Sequence, residues 1–114
     1  MSNKELLKGT LSTMILKLLV DNGKMYGYEI AQKVKELSHD KILLKDGSLY
    51  PALHKLMKDG ILSYEEEYIG KRVRKYYYLT PIGEEQQKKS IIELKEFIQT
   101  LSLIFDQDLK MSIE

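Results

Sequence analysis

The sequence has no cysteine and no tryptophan, only two histidines and two prolines, and no apolar run of membrane-spanning length. Without cysteine there are neither disulfides nor thiolate metal sites, which fits a reducing compartment and sets the cytoplasm as the expected location. His39 and His54 have no HExxH, nucleophile elbow or other titratable cluster around them, and no glycine-rich phosphate loop occurs, so nothing assembles an active site. His39-Asp40 is too small a ligand set for a metal. Neither an enzyme nor a cofactor is expected. The run from Leu11 to Val20 is interrupted by Lys17 and leads into Asp21-Asn22-Gly23 with no small-residue cleavage pattern, so it reads as a core helix rather than a signal or a span.

What is present is 114 residues with a formal net charge of +1, enough for one modest core and not two. The charge is unevenly spread. Residues 1–81 carry fourteen Lys or Arg against ten Asp or Glu, whereas residues 82–114 carry four against seven, giving +4 and −3. The near-neutral total hides a polarised molecule with a basic front and an acidic tail.

The stretch 46–60 organises the rest. At helical spacing Leu49, Ala52, Leu53, Leu56 and Met57 share one side, Pro51, His54, Lys55 and Lys58 the other, and Tyr50 lies at the border. Pro51 belongs in a first turn, which predicts a start near Gly47 or Ser48, and Gly60 is the stop. Two strand-like runs follow, Ile61 to Tyr68 and Val73 to Leu79, joined by a turn with four cations in five residues: Lys71, Arg72, Arg74 and Lys75. Glu65-Glu66-Glu67 keeps the first strand's edge soluble, and Tyr76-Tyr77-Tyr78 suits a half-buried strand.

Upstream, Lys4 to about Asp21 reads as one helix, apolar along Leu7, Leu11, Met14, Ile15 and Leu18 and again along Leu6, Leu16, Leu19 and Val20. Two apolar faces need two coverings, and the second is expected from another chain, with Leu7, Leu11, Met14, Ile15 and Leu18 at the contact. A short helix from about Gly27 to Ser38 and a brief edge strand at Ile42-Leu43-Leu44 precede the 46–60 helix. Downstream, Thr80-Pro81 reads as N-cap and first helical residue of a helix reaching about Asp108. Gly83 in its first turn points to something packed tightly there. Ile91, Leu94, Ile98, Leu101 and Phe105 repeat at three–four spacing, a stripe too long for so small a domain to cover. Together these predict an α+β, mostly α fold, a winged helix-turn-helix over 1–79 with a C-terminal dimerisation helix and tail over 80–114, and a homodimer.

Lysines on an exposed helix face are commonplace, but four adjacent cations on a neighbouring hairpin are costly unless a polyanion offsets them. Double-stranded DNA is the expected partner, read by the helix in the major groove and held by the hairpin. The alternative is a winged-helix module for protein–protein contact, whose basic hairpin meets an acidic partner.

Met25-Tyr26-Gly27-Tyr28-Glu29-Ile30, Gly47-Ser48-Leu49-Tyr50-Pro51-Ala52-Leu53-His54-Lys55-Leu56, Asp59-Gly60-Ile61-Leu62 and Arg74-Lys75-Tyr76-Tyr77-Tyr78-Leu79-Thr80 with Gly83 resemble the PadR family of bacterial transcriptional regulators. The single long helix after the hairpin looks like its smaller subfamily. Met57 departs from the glutamate usual there. The resemblance implies a homodimeric repressor released from a pseudo-palindromic operator by an effector. It implies DNA contacts from Ser48, Tyr50, Pro51, His54, Lys55 and Lys58, from Lys71, Arg72, Arg74 and Lys75, and from Tyr28 and Lys33 on the preceding helix. Some relatives hold planar ligands between tryptophans at the dimer centre; with none here, Met14, Phe97, Ile98 and Phe105 are the residues for a small apolar or aromatic effector, with plain interface packing as the other reading.

Overall fold

The computed structural model describes the backbone of residues 3–113 and the side chains of residues 5–106. The first predicted helix is two: α1 (Asn3–Lys8) and α2 (Leu11–Asn22). Gly9 disfavours a helix interior, and the Thr10 amide turns back to the Leu7 carbonyl at 3.0 Å, closing the first piece. α3 (Gly27–Leu37) and α4 (Asp46–Lys58) follow, then β1 (Leu62–Ile69), β2 (Arg72–Leu79) and α5 (Pro81–Ile113).

The core lies between α2, α3, α4 and the base of the hairpin. Ile15, Leu16, Ile30, Leu49 and Leu53 are its most buried side chains, with Leu62 and Tyr77 from the strands. Leu11, Ile15 and Leu18 belong to this core, Leu18 only 4% exposed, which corrects the expectation that they face a partner chain. The chain's own α5 packs along α2 and supplies the second covering. Ile42-Leu43-Leu44 forms no strand: Ile42 and Leu44 pack on the core from an irregular loop while Leu43 is exposed. The hairpin's inner edge is taken instead by Met25, which exchanges two backbone hydrogen bonds with Tyr77 (3.1 and 2.8 Å).

Helix α4 has the predicted sides, with Leu49, Leu53 and Leu56 buried and Pro51, His54, Lys55 and Lys58 exposed. It starts earlier than the proline suggested, so Pro51 sits in the second turn and offers no N–H to the Gly47 carbonyl four residues back. That carbonyl belongs to an exposed residue, where water can satisfy it. The helix closes on Gly60 at φ +75°. The Gly60 amide donates to Met57 (3.0 Å) and the Ile61 amide to Leu56 (2.9 Å), the two bonds of a Schellman ending.

The strands are antiparallel, Leu62 opposite Leu79 and Ile69 opposite Arg72. Their two-residue loop has Gly70 first, at φ +65°, as a type II′ turn requires. Thr80 caps α5 as predicted, its hydroxyl oxygen accepting the Gly83 amide at 3.1 Å. The tight packing expected at Gly83 is the Ile61 carbonyl, which a Cβ there would strike. The tail expected beyond Asp108 is helical to Ile113, and Glu114 lies outside the described residues.

Candidate nucleic-acid interface

The hairpin and α4 border one recess of about 340 Å³, lined by Tyr26, Gly27 and Tyr50 on the helical side, Val73, Arg74, Lys75 and Tyr77 on β2 and the single carboxylate Glu66 on β1. Sequence positions more than twenty apart thus meet because Met25 pairs with β2 and Gly27 leaves room for the Tyr50 phenol, whose oxygen a Cβ at Gly27 would strike. Tyr50 is therefore turned partly toward α3. Ser48 is half-buried at the helix start.

Among the described residues, no carboxylate lies within ion-pair reach of Lys55, Lys58, Lys71 or Arg72, all of them exposed. The other two hairpin cations sit differently. Lys75 is opposite Glu66, its ammonium 4.8 Å from the Tyr64 ring centre. Arg74 is half-buried, with its guanidinium 4.4 Å from the Tyr26 ring centre. A hydrogen bond with Tyr76 raises its pKa further, so it is charged at any physiological pH. On α3, Tyr28 is 62% exposed and accepts a hydrogen bond from Gln32 (2.9 Å), and Lys33 is 3.9 Å from Glu36.

Three residues escape a reading of the sequence. Lys24 grips Glu65 (2.6 Å) and Glu67 (3.0 Å), so two of the three glutamates hold a partner rather than only guarding an edge. Those bonds, Glu65 first, raise the Lys24 pKa above its ordinary value. Strand periodicity does put Glu65 and Glu67 on one face, but a lysine forty-one residues away leaves no local signal.

The apolar residues divide likewise. A cavity of about 300 Å³ between α2, α3 and α5 is lined by Met14, Leu18, Val34, Ile91, Leu94 and Ile98. It brings together Met14 and Ile98 of the expected effector set. Phe97 and Phe105 are absent from its lining, and both are more than half exposed. Leu7 and Leu101 are half-buried. Among the described residues no group of three or more His, Asp or Glu could hold a metal, and no helix is long and apolar enough to cross a membrane.

Residues 15–89 match the model of the transcriptional regulator PadR-like family. A transcriptional regulator of Mycobacterium tuberculosis is 34% identical over 80 residues, covering 70% of this chain and 71% of its own. Among solved structures, a PadR-like transcription factor of Bacteroides fragilis is 34% identical, with TM-score 0.71 over 89% of this chain and 95% of that one. A transcriptional regulator of Clostridium thermocellum superposes with TM-score 0.78 at 28% identity, over 86% and 95%. These relatives are regulators rather than enzymes, and the single long helix after the hairpin fits the smaller subfamily. The chain belongs to the PadR-like family of transcriptional regulators, proteins that bind DNA.

Proposed function

We propose that this regulator is a homodimeric repressor that reads a pseudo-palindromic operator in double-stranded DNA. Two copies join along α5, with Leu7 of α1 and Ile91, Leu94, Ile98, Leu101 and Phe105 at the contact, so that residues 80–114 couple two DNA-reading units formed by residues 1–79. Each α4 then enters a major groove, the two about 34–36 Å apart. His54, Lys55 and Tyr50 face base edges, and Ser48, Pro51, Lys58, Tyr28 and Lys33 lie along the backbone. The hairpin supports the flanking phosphates.

The observation that carries this reading is the set of exposed cations Lys55, Lys58, Lys71 and Arg72 on α4 and the hairpin tip, with no carboxylate within ion-pair reach among the described residues. Such a surface is favoured opposite a polyanion, which releases counterions on binding. An apolar effector in the cavity beside Met14 and Ile98 would move α5 against α2 and change the spacing of the α4 pair. It releases DNA only to the extent that it binds the displaced form more tightly.

The test is binding to duplexes selected from a random-sequence pool, measured across salt concentrations. Affinity should fall steeply, by a slope of about 0.9 in log K per log salt for each phosphate contacted. Absence of duplex binding at low ionic strength would favour the protein–protein module instead.

A further inference from the structure

The segment 24–27 is fastened to the edge and one face of the hairpin and to α4 at its end. Met25 is hydrogen-bonded to Tyr77, Lys24 spans the sheet to Glu65 and Glu67, and Tyr26 meets the Tyr76 ring edge-on at 5.4 Å. Tyr26 also takes the Arg74 guanidinium on its face. Gly27, next in the chain, backs the Tyr50 phenol. The strand register explains why Arg74 differs from Arg72. Both point to the Lys24 side of the sheet, but Arg74 is paired with Glu67 two residues further from the turn and within reach of Tyr26, whereas Arg72 is paired with Ile69 beside the turn and is exposed.

A two-stranded hairpin has little stiffness of its own in direction, so its aim is set where it is attached. With strands of 8 residues the lever is about 26 Å long, and a tilt of about 10° at the base moves the tip by about 4–5 Å. That displacement exceeds the length of a hydrogen bond to a phosphate.

We propose that Arg74 is a positioning residue: clamped on Tyr26, it fixes the hairpin's angle to α4, and the hairpin's phosphate contacts are made by Lys71 and Arg72. The proposal rests on the DNA-binding reading above and takes Arg74 out of the set of contact residues. An arginine that held a phosphate directly would work independently of the ring beneath it. One that acts through the ring loses its effect when the ring is removed.

The experiment is a double-mutant cycle on duplex affinity in the full-length protein, with Arg74→Met, Tyr26→Leu and the pair, and with thermal unfolding followed for each. Each single change should weaken binding by about fivefold, and the pair by about fivefold again rather than twenty-five-fold. Tyr26→Phe, which keeps the ring, should bind within about twofold of the unaltered protein. The salt slope should stay unchanged in the Arg74 and Tyr26 variants and drop by about one in Arg72→Ala. If Tyr26→Leu binds normally while Arg74→Met lowers the slope by about one, Arg74 is itself a phosphate contact and the proposal is overturned, with the hairpin reading intact. An unchanged slope for Arg72→Ala would overturn the hairpin reading and this proposal with it.

Discussion

Gly83 shows how two opposed effects are weighed at one position. Replacing it with Ala gains up to about 1 kcal/mol of helix propensity, but the new methyl meets the Ile61 carbonyl oxygen. That oxygen cannot retreat, because the Thr80 amide (3.1 Å) and hydroxyl (3.1 Å) both hold it. Crowding against fixed backbone costs about 1–3 kcal/mol, so Gly83→Ala should lower the urea midpoint despite the better helix former. Tyr77 and Lys24 set the alkaline limit. Burial raises the Tyr77 pKa from its ordinary 10.0, and Glu65 with Glu67 raises that of Lys24, so both bind protons more tightly folded than unfolded. Their contribution is full below about pH 10 and is lost as the pH rises from there through the folded values. Stability should therefore fall as the pH rises above about 10, and less steeply in Tyr77→Phe. A midpoint independent of pH across that window would contradict the assignment.

Helix α4 and the hairpin act on DNA in different ways. His54 and Lys55 lie on the exposed side of a rigid helix whose other side is core, so their contribution is directional. Replacing either with Ala should change the preferred bases at one or two operator positions, by about 1–3 kcal/mol of discrimination. Selection from a random pool with each variant reads this directly, and an unaltered consensus would remove the residue from the reading set. Arg72 is exposed beside the hairpin's turn. Its loss should weaken binding to all duplexes alike, including unrelated sequences. Both elements were visible in the chain because each has a period, near 3.6 for Leu49, Leu53 and Leu56 and 2 for Glu65 and Glu67. The third strand position at Met25 was not visible, since a single bridging residue has no period.

The protein's extents are 64 × 29 × 21 Å, with a radius of gyration of 16.6 Å. A compact chain of this length would have about 13 Å, and the excess is α5, 33 residues long and about 50 Å from end to end. Beyond its packing on α2, this helix exposes Phe97, Ile98, Leu103, Ile104 and Phe105. That much exposed apolar surface on one helix is costly in water unless another chain covers it. Ile98 is 53% exposed, so Ile98→Asp leaves the protomer's core intact while placing a charge in the proposed seam. Sedimentation should find a monomer, and operator affinity should fall with it because two linked half-sites become one. A fully dimeric Ile98→Asp protein would place the seam elsewhere. The two apolar faces of the first helical region foretold two coverings, and the chain's own α5 supplies one of them while Leu6 and Val20 stay exposed. Periodicity reports that a face must be buried and carries no information about whose residues bury it.

The chain alone was enough for α3, α4, the hairpin and the long last helix in their order, the buried and exposed sides of α4, the cap at Thr80 and the crowding at Gly83. All of these follow from interactions between residues a few positions apart, or from the backbone demands of a single residue. Folding in three dimensions settled which Leu and Ile side chains are spent inside one protomer, which glutamates are engaged by Lys24, and which two of four neighbouring cations lie on tyrosine rings. The Lys24 and Arg74 outcomes depend on contacts between segments forty or more residues apart, and the pairing that creates them is fixed by how the elements pack rather than by any local pattern.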